Sequence, residues 1–333
     1  MEDLFKKKHT FLFQGVGADY KSMVHMLDKN QYNLLHYYCS IAHRELGLDL
    51  WGYLNNTSTN KSYSVFYEWA AIYTVDYIVY QTFTDYGIEP EMFMGYSMGL
   101  VTALACGKAI SFETGLHILF SSFEYAQRVH RQEEAMAVIT GITCSNVERI
   151  IEKNGFSGQV DIASENNEYC IVISGIRSKV EAVMSIAANE GAMKVKDINA
   201  PYAFHSRFAA IGIESYVEFL SKVKISDCIV PIISIYNKKT IKSSNDIRKE
   251  LGINTMGRMY WKESMELIIH KGYDSFVEVS LADGITKFSK LINMDCDFLT
   301  YKKFLSLKTQ VIKINANTNT TGDLAVEAEL FVS

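Results

Sequence analysis

The chain has 333 residues, 48% of them hydrophobic, and carries 33 Lys and Arg against 38 Asp and Glu for a net charge of -5. That apolar content is enough for a packed core and argues against extensive disorder. The acidic balance argues against nucleic acid as the main partner, since a phosphate backbone calls for a concentrated positive face. No stretch is long and apolar enough for a membrane-spanning helix, and the amino terminus lacks the features of a secretion signal. The six cysteines show neither CxxC pairing nor zinc spacing, so they read as reduced thiols of a cytoplasmic protein and no metal is implied.

A chain of this length predicts two domains, or one domain carrying an insertion. Residues 10–13 form a short apolar run ending in Gln14-Gly15-Val16-Gly17, which reads as a buried strand entering a tight loop. Helical periodicity follows over residues 20–46 and again over 65–80. Gly87-Ile88-Glu89-Pro90 is a helix stop and turn, after which Met92-Phe93-Met94 is a short strand and residues 98–108 a buried helix.

Between residues 134 and 199 the rhythm changes. Strands are predicted at 135–142, 160–163, 169–174 and 193–198, with helices at 146–154 and 178–190. This βαββαβ order is the ferredoxin-like pattern. It divides the chain into a large discontinuous α/β domain at 1–133 and 200–310, a small inserted domain at 134–199, and a tail at 311–333. The large domain resumes with a helix at 208–220, a strand at 229–235, a helix at 260–270 and a strand at 275–279. In the tail, 317–322 reads as a loop and 324–332 as a last strand or a disordered end.

Gly95-Tyr96-Ser97-Met98-Gly99 fits G-x-S-x-G, in which serine sits on a strained bend from strand to helix. Unpaired N–H groups at the start of that helix can face a developing oxyanion. Met98 is therefore the first candidate donor, and Gln14, directly after the first strand, the second. Of the eight histidines, His205 stands apart because it lies in an irregular segment at the return from the small domain, whereas most of the others fall on helix surfaces or ends. It is the candidate base for Ser97. Its second ring nitrogen needs one acceptor, and Asp283 or a main-chain carbonyl within 280–283 are the candidates.

These runs, together with Phe11-Leu12-Phe13-Gln14-Gly15 and Ala203-Phe204-His205-Ser206, resemble the malonyl-CoA:acyl-carrier-protein transacylases and the acyltransferase domains of polyketide synthases. The resemblance spans roughly residues 10–300 and implies a hydrolase-like three-layer α/β domain with an inserted ferredoxin-like domain. It further implies a Ser97–His205 dyad with the histidine held by a main-chain carbonyl, and an oxyanion hole at Gln14 and Met98. Asn166 would be the small domain's asparagine. Coenzyme A or phosphopantetheine thioesters would be substrate carriers, with no permanently bound cofactor. An acyl carrier protein would be the partner, within fatty-acid synthesis or a polyketide assembly line, with no role for nucleic acid or membrane.

The departures bear on the acyl group. Relatives that select malonyl place an arginine on the helix after the nucleophile helix, where it pairs with the substrate carboxylate. This chain has Ser122 there, between Ser121 and Phe123, and Arg128 and Arg131 fall too far along the helix. Tyr96 replaces a histidine, while Tyr202-Ala203-Phe204-His205 keeps the Phe204 associated with small malonyl-like groups. The predicted pocket is thus Tyr96, Ser121, Ser122, Phe123, Asn166, Tyr202 and Phe204, and the expected activity is transfer of an acyl group lacking a free carboxylate. The alternatives are an acyl-carrier-protein hydrolase that clears stalled acyl groups, and a non-catalytic docking protein of the same fold.

Overall fold

A computed structural model describes residues 7–57, 64–129, 133–198, 200 and 202–319. In chain order the elements begin with β1 (His9–Phe13), α1 (Lys29–Leu46), α2 (Leu50–Leu54), α3 (Ser64–Asp85), β2 (Pro90–Gly95), α4 (Gly99–Cys106) and α5 (Phe112–Val129). The middle segment comprises β3 (Glu134–Thr140), α6 (Cys144–Lys153), β4 (Val160–Asn167), β5 (Cys170–Ile176), α7 (Arg177–Asn189) and β6 (Lys194–Asp197). The chain then continues through α8 (Glu214–Lys222), β7 (Ile232–Ile233), β8 (Thr240–Ile241), α9 (Ser244–Ile253), α10 (Trp261–His270), β9 (Ser275–Val279), α11 (Gly284–Ser289), β10 (Asp297–Leu299) and α12 (Tyr301–Asn319).

Six strands form the large sheet in the order β10-β9-β1-β2-β7-β8, with all pairs parallel except β7 with β8. Side chains alternate across a strand, and a parallel sheet must be covered on both faces. Phe11 and Phe13 accordingly point into one core with α1, α3, α4 and α5, while Leu12 joins Met92, Met94 and Phe276 in a second core under α10 and α11. Sheet and two helical layers make the three-layer α/β architecture.

The second sheet has the order β4-β5-β3-β6, all antiparallel, as in a ferredoxin-like fold. Ala135, Ala137, Ile171 and Ile173 pack under α6 and α7. Met136 and Val172 face the other way, toward Phe204 and the large domain.

Two expectations need correction. The strand expected at 229–235 is reduced to Ile232–Ile233, because Pro231 offers no N–H to a neighbouring strand and the Ser234 amide turns back to the Lys239 carbonyl at 2.9 Å. Residues 317–319, expected in a loop, instead complete α12. The possible strand at 324–332 lies outside the described residues.

Candidate active site

β1 and β2 lie side by side, and the loops leaving their carboxyl ends build the site. The chain crosses itself there at very short range. A Cβ on Gly99 would stand 2.2 Å from the Phe13 carbonyl oxygen, and one on Gly95 2.4 Å from the Leu100 nitrogen, so only glycine fits at either position. Between them Ser97 holds φ 53°, the left-handed backbone that costs a non-glycine residue about 1–2 kcal/mol. Its side chain is thereby lifted off the end of the sheet.

The hydroxyl of Ser97 donates to Nε2 of His205 at 2.8 Å, across 108 residues of sequence. The Nδ1–H of His205 donates to the Gly257 carbonyl at 3.1 Å, which sets the tautomer with Nε2 free to accept. The acceptor is therefore not in 280–283: Asp283 pairs with Lys287 at 2.7 Å, and the Ser280 hydroxyl bonds Tyr20. Nothing periodic marks Gly257 in the sequence, and a main-chain carbonyl has no residue signature. His205 also has a left-handed φ of 57°, and its own N–H is held by the Thr255 carbonyl at 2.8 Å. Burial pushes its imidazole down to about 4, so it is neutral at neutral pH, with Nε2 unprotonated and able to accept.

In the first turn of α4 the amides of Gly99, Leu100 and Val101 bond the carbonyls of Tyr96, Ser97 and Met98, leaving the Met98 N–H without a partner among the described residues. Gly15 packs against Ser97, since a Cβ there would stand 3.3 Å from the serine Cβ, so the backbone leaving β1 through Gln14 and Gly15 runs beside the nucleophile. The Gln14 side chain is anchored away from it. Its amide donates to the Tyr20 hydroxyl, which donates in turn to the wholly buried Asp76 and also contacts the Ser280 hydroxyl at 2.8 Å. One turn of the loop further on, the Gly17 N–H donates to Glu68 at 2.9 Å. The loop after β1 is thus tied to α3 at two carboxyl groups.

Two cavities open onto the Ser97–His205 pair and share Val16, Trp69 and Phe204 in their walls. The larger, about 130 Å³, runs between the two sheets past Glu68, Tyr96, Met136 and Met259. The smaller, about 40 Å³, reaches inward to Ile118, Leu119, Ser122, Asn254 and Thr255. Of the residues expected to line a pocket, Tyr96, Ser122 and Phe204 do so. Ser121, Phe123, Asn166 and Tyr202 do not. Phe123 is packed against Phe66 and Trp69, and the Tyr202 ring lies edge-on to Phe204. Asn166 sits behind the wall, its carbonyl accepting from the Tyr96 hydroxyl at 2.9 Å and from Ser164 at 2.6 Å. Glu68 and Trp69, both missed in the sequence, look there like ordinary members of an amphipathic helix.

Among the described residues no Lys or Arg lines either cavity, and Arg131 lies outside the described residues. Arg128 is largely exposed and faces Glu124 at 3.8 Å. Among the described residues no group of three or more His, Cys, Asp or Glu is placed to hold a metal, and no helix is long and apolar enough to cross a membrane.

A buried neutral imidazole bonded to a strained serine, with the unpartnered Met98 N–H next to it in the chain, is equipped for nucleophilic acyl transfer. The chain matches the acyl transferase domain family over residues 10–282. It is 27% identical over 225 residues to the malonyl CoA-acyl carrier protein transacylase of Bacillus subtilis (strain 168), covering 67% of this chain and 71% of that one. It is 25% identical over 303 residues to the polyketide biosynthesis protein PksE of the same organism, covering 88% of this chain but only 37% of that longer protein. The structure of a malonyl-transacylase in complex with a type II polyketide synthase acyl-carrier protein superposes with a TM-score of 0.83 at 20% identity, covering 91% of this chain and 98% of that one. The dyad geometry and the matched span lead to one conclusion: the chain belongs to the acyl transferase domain family and is an acyltransferase.

Proposed function

We propose that Ser97 carries the acyl group, His205 moves the proton, and the Met98 and Gln14 amides hold the oxyanion. The observation that carries this reading is the 2.8 Å contact from the Ser97 hydroxyl to a buried, neutral His205. In the first half-reaction the Ser97 oxygen attacks a thioester carbonyl while its proton passes to Nε2. The C–S bond then breaks, and His205 returns the proton to the leaving sulfur. In the second, an incoming thiol gives its proton to His205, its sulfur takes the acyl carbon, and Ser97 recovers the proton. Donor and acceptor are thioesters of coenzyme A and the phosphopantetheine arm of an acyl carrier protein, in fatty-acid or polyketide synthesis in the cytoplasm.

The acyl group is one without a free carboxylate. A desolvated carboxylate needs a paired cation, and the described residues in the walls of both cavities supply none. Ser122 stands on α5 where a guanidinium would have been needed.

Intact-mass measurement after mixing with acetyl-, longer acyl- and malonyl-CoA tests this. The expected result is an acetyl or longer acyl adduct that is absent in Ser97→Ala and persists until a carrier thiol is added. Decay to free acid without the carrier would make the enzyme a hydrolase, and a dominant malonyl adduct would overturn the reading of the cavity. No adduct with any donor would leave only the docking role.

A further inference from the structure

Glu68 is a carboxylate in the wall of the larger cavity, which also exposes Ser97 and His205. One of its oxygens accepts the Gly17 N–H at 2.9 Å, so the group is held in place rather than free to swing into solvent. Asp19, nearby, adds a second negative charge to its surroundings, and burial raises the Glu68 pKa. Apart from Glu68, the ionisable side chains lining the two cavities, among the described residues, are His205, Tyr96 and Tyr216. The imidazole is neutral, and burial pushes both phenols up, to about 12 for Tyr96. Glu68 is thus the one carboxyl group among the described residues that line the cavities at the nucleophile.

We propose that Glu68 is the specificity-determining residue of this site, turning away acyl groups that end in a carboxylate and favouring those that carry an ammonium or another N–H or O–H donor. The proposal rests on the reading of Ser97 as the acyl carrier and goes beyond it. A missing cation only withholds a partner from a malonyl group. A carboxylate in the wall adds like-charge repulsion, which the partial burial of Glu68 leaves less screened than it would be in bulk water. The same carboxylate, with one oxygen bonded by Gly17, has lone pairs left to receive a donor from the acyl chain.

Three thioesters of one pantetheine thiol separate these effects: acetyl, malonyl and 3-aminopropionyl. Contacts to the pantetheine arm cancel in their ratios. Acylation of Ser97 is followed by intact mass in the wild type and in Glu68→Gln, which keeps the shape and an acceptor for Gly17. The wild type is expected to be acylated by the 3-aminopropionyl and acetyl donors at least about tenfold faster than by malonyl, a ratio that corresponds to about 1.4 kcal/mol. In Glu68→Gln the 3-aminopropionyl advantage is lost, and the malonyl-to-acetyl ratio rises about tenfold or more. A wild type that takes malonyl as well as acetyl overturns the proposal. So does a Glu68→Gln enzyme with unchanged ratios, or one in which all three donors fall by the same factor. In each of those cases Ser97 adducts still form, so the acyl-enzyme reading survives; absence of adducts from the wild type with every donor overturns both.

Discussion

Ser97 and His205 meet at 2.8 Å while each holds a left-handed backbone, φ 53° and φ 57°. Neither residue type favours that conformation, so the surrounding structure imposes it at both ends of one hydrogen bond. Glycine accepts the same φ freely. Ser97→Gly is therefore expected to be more stable than Ser97→Ala by about 1 kcal/mol in denaturant unfolding, with both variants inactive. Equal stabilities would show that the bend is not strained.

The imidazole of His205 is held down to about 4 by burial, against an ordinary value of 6.5. Acylation of Ser97 should then stay level through neutral pH and fall only as pH approaches 4, where the base becomes protonated. Stability follows the same direction. Between 6.5 and 4 the unfolded chain takes up a proton that the folded chain refuses, so stability present above 6.5 is lost as pH falls through this window, by on the order of 1–3 kcal/mol. A rate profile with its midpoint at 6.5 or above would contradict the buried neutral base.

Gly15 and Gly99 should separate catalysis from folding. A Cβ on Gly99 would collide with the Phe13 and Gln14 carbonyls at 2.2 and 2.6 Å, forcing α4 off the end of the sheet. Gly99→Ala is expected to lose about 3 kcal/mol or more of stability, at the upper end of overpacking costs. At Gly15 the nearest atoms are at 3.0 and 3.3 Å, the latter the Ser97 Cβ, so Gly15→Ala should fold and lose most of its acylation rate. Thermal melts beside intact-mass kinetics distinguish the two.

Removal of the Tyr20 hydroxyl would leave the Gln14 amide and Asp76 without their shared partner in a site closed to water. Tyr20→Phe should cost about 1–3 kcal/mol by unfolding. If the tie also positions the Gln14 peptide, the acylation rate falls while the KM for the thioester stays put. A change confined to KM would assign the network to binding instead.

The parts of this molecule that were legible in the sequence have a local signature. Short apolar runs marked β1 and β2, and the G-x-S-x-G run marked the bend, because each of these is dictated by neighbours a few residues apart. His205 could be picked out because the segment around it is irregular. The acceptor at Gly257 and the wall at Glu68 had no such mark. Each matters through a contact made by folding, Gly257 with a residue 52 positions away and Glu68 with one 51 away. Asn166 misled for the related reason that a conspicuous polar residue near a site can serve the wall rather than the cavity.

The strand β4 of the small sheet also pairs, through Ser164, with Met259 of the large domain, the Met259 N–H reaching the Ala163 carbonyl at 2.8 Å. Met259 lines the larger cavity, and two residues before it lies Gly257, whose carbonyl holds His205. One wall of the cleft and the alignment of the base therefore share a single stretch of backbone, residues 257–259. A small sheet that swung away to admit a bulky arm would pull on the support of the imidazole as it went, so an open gate and a competent base are hard to hold together, and proton transfer is best matched to the cleft at its present width.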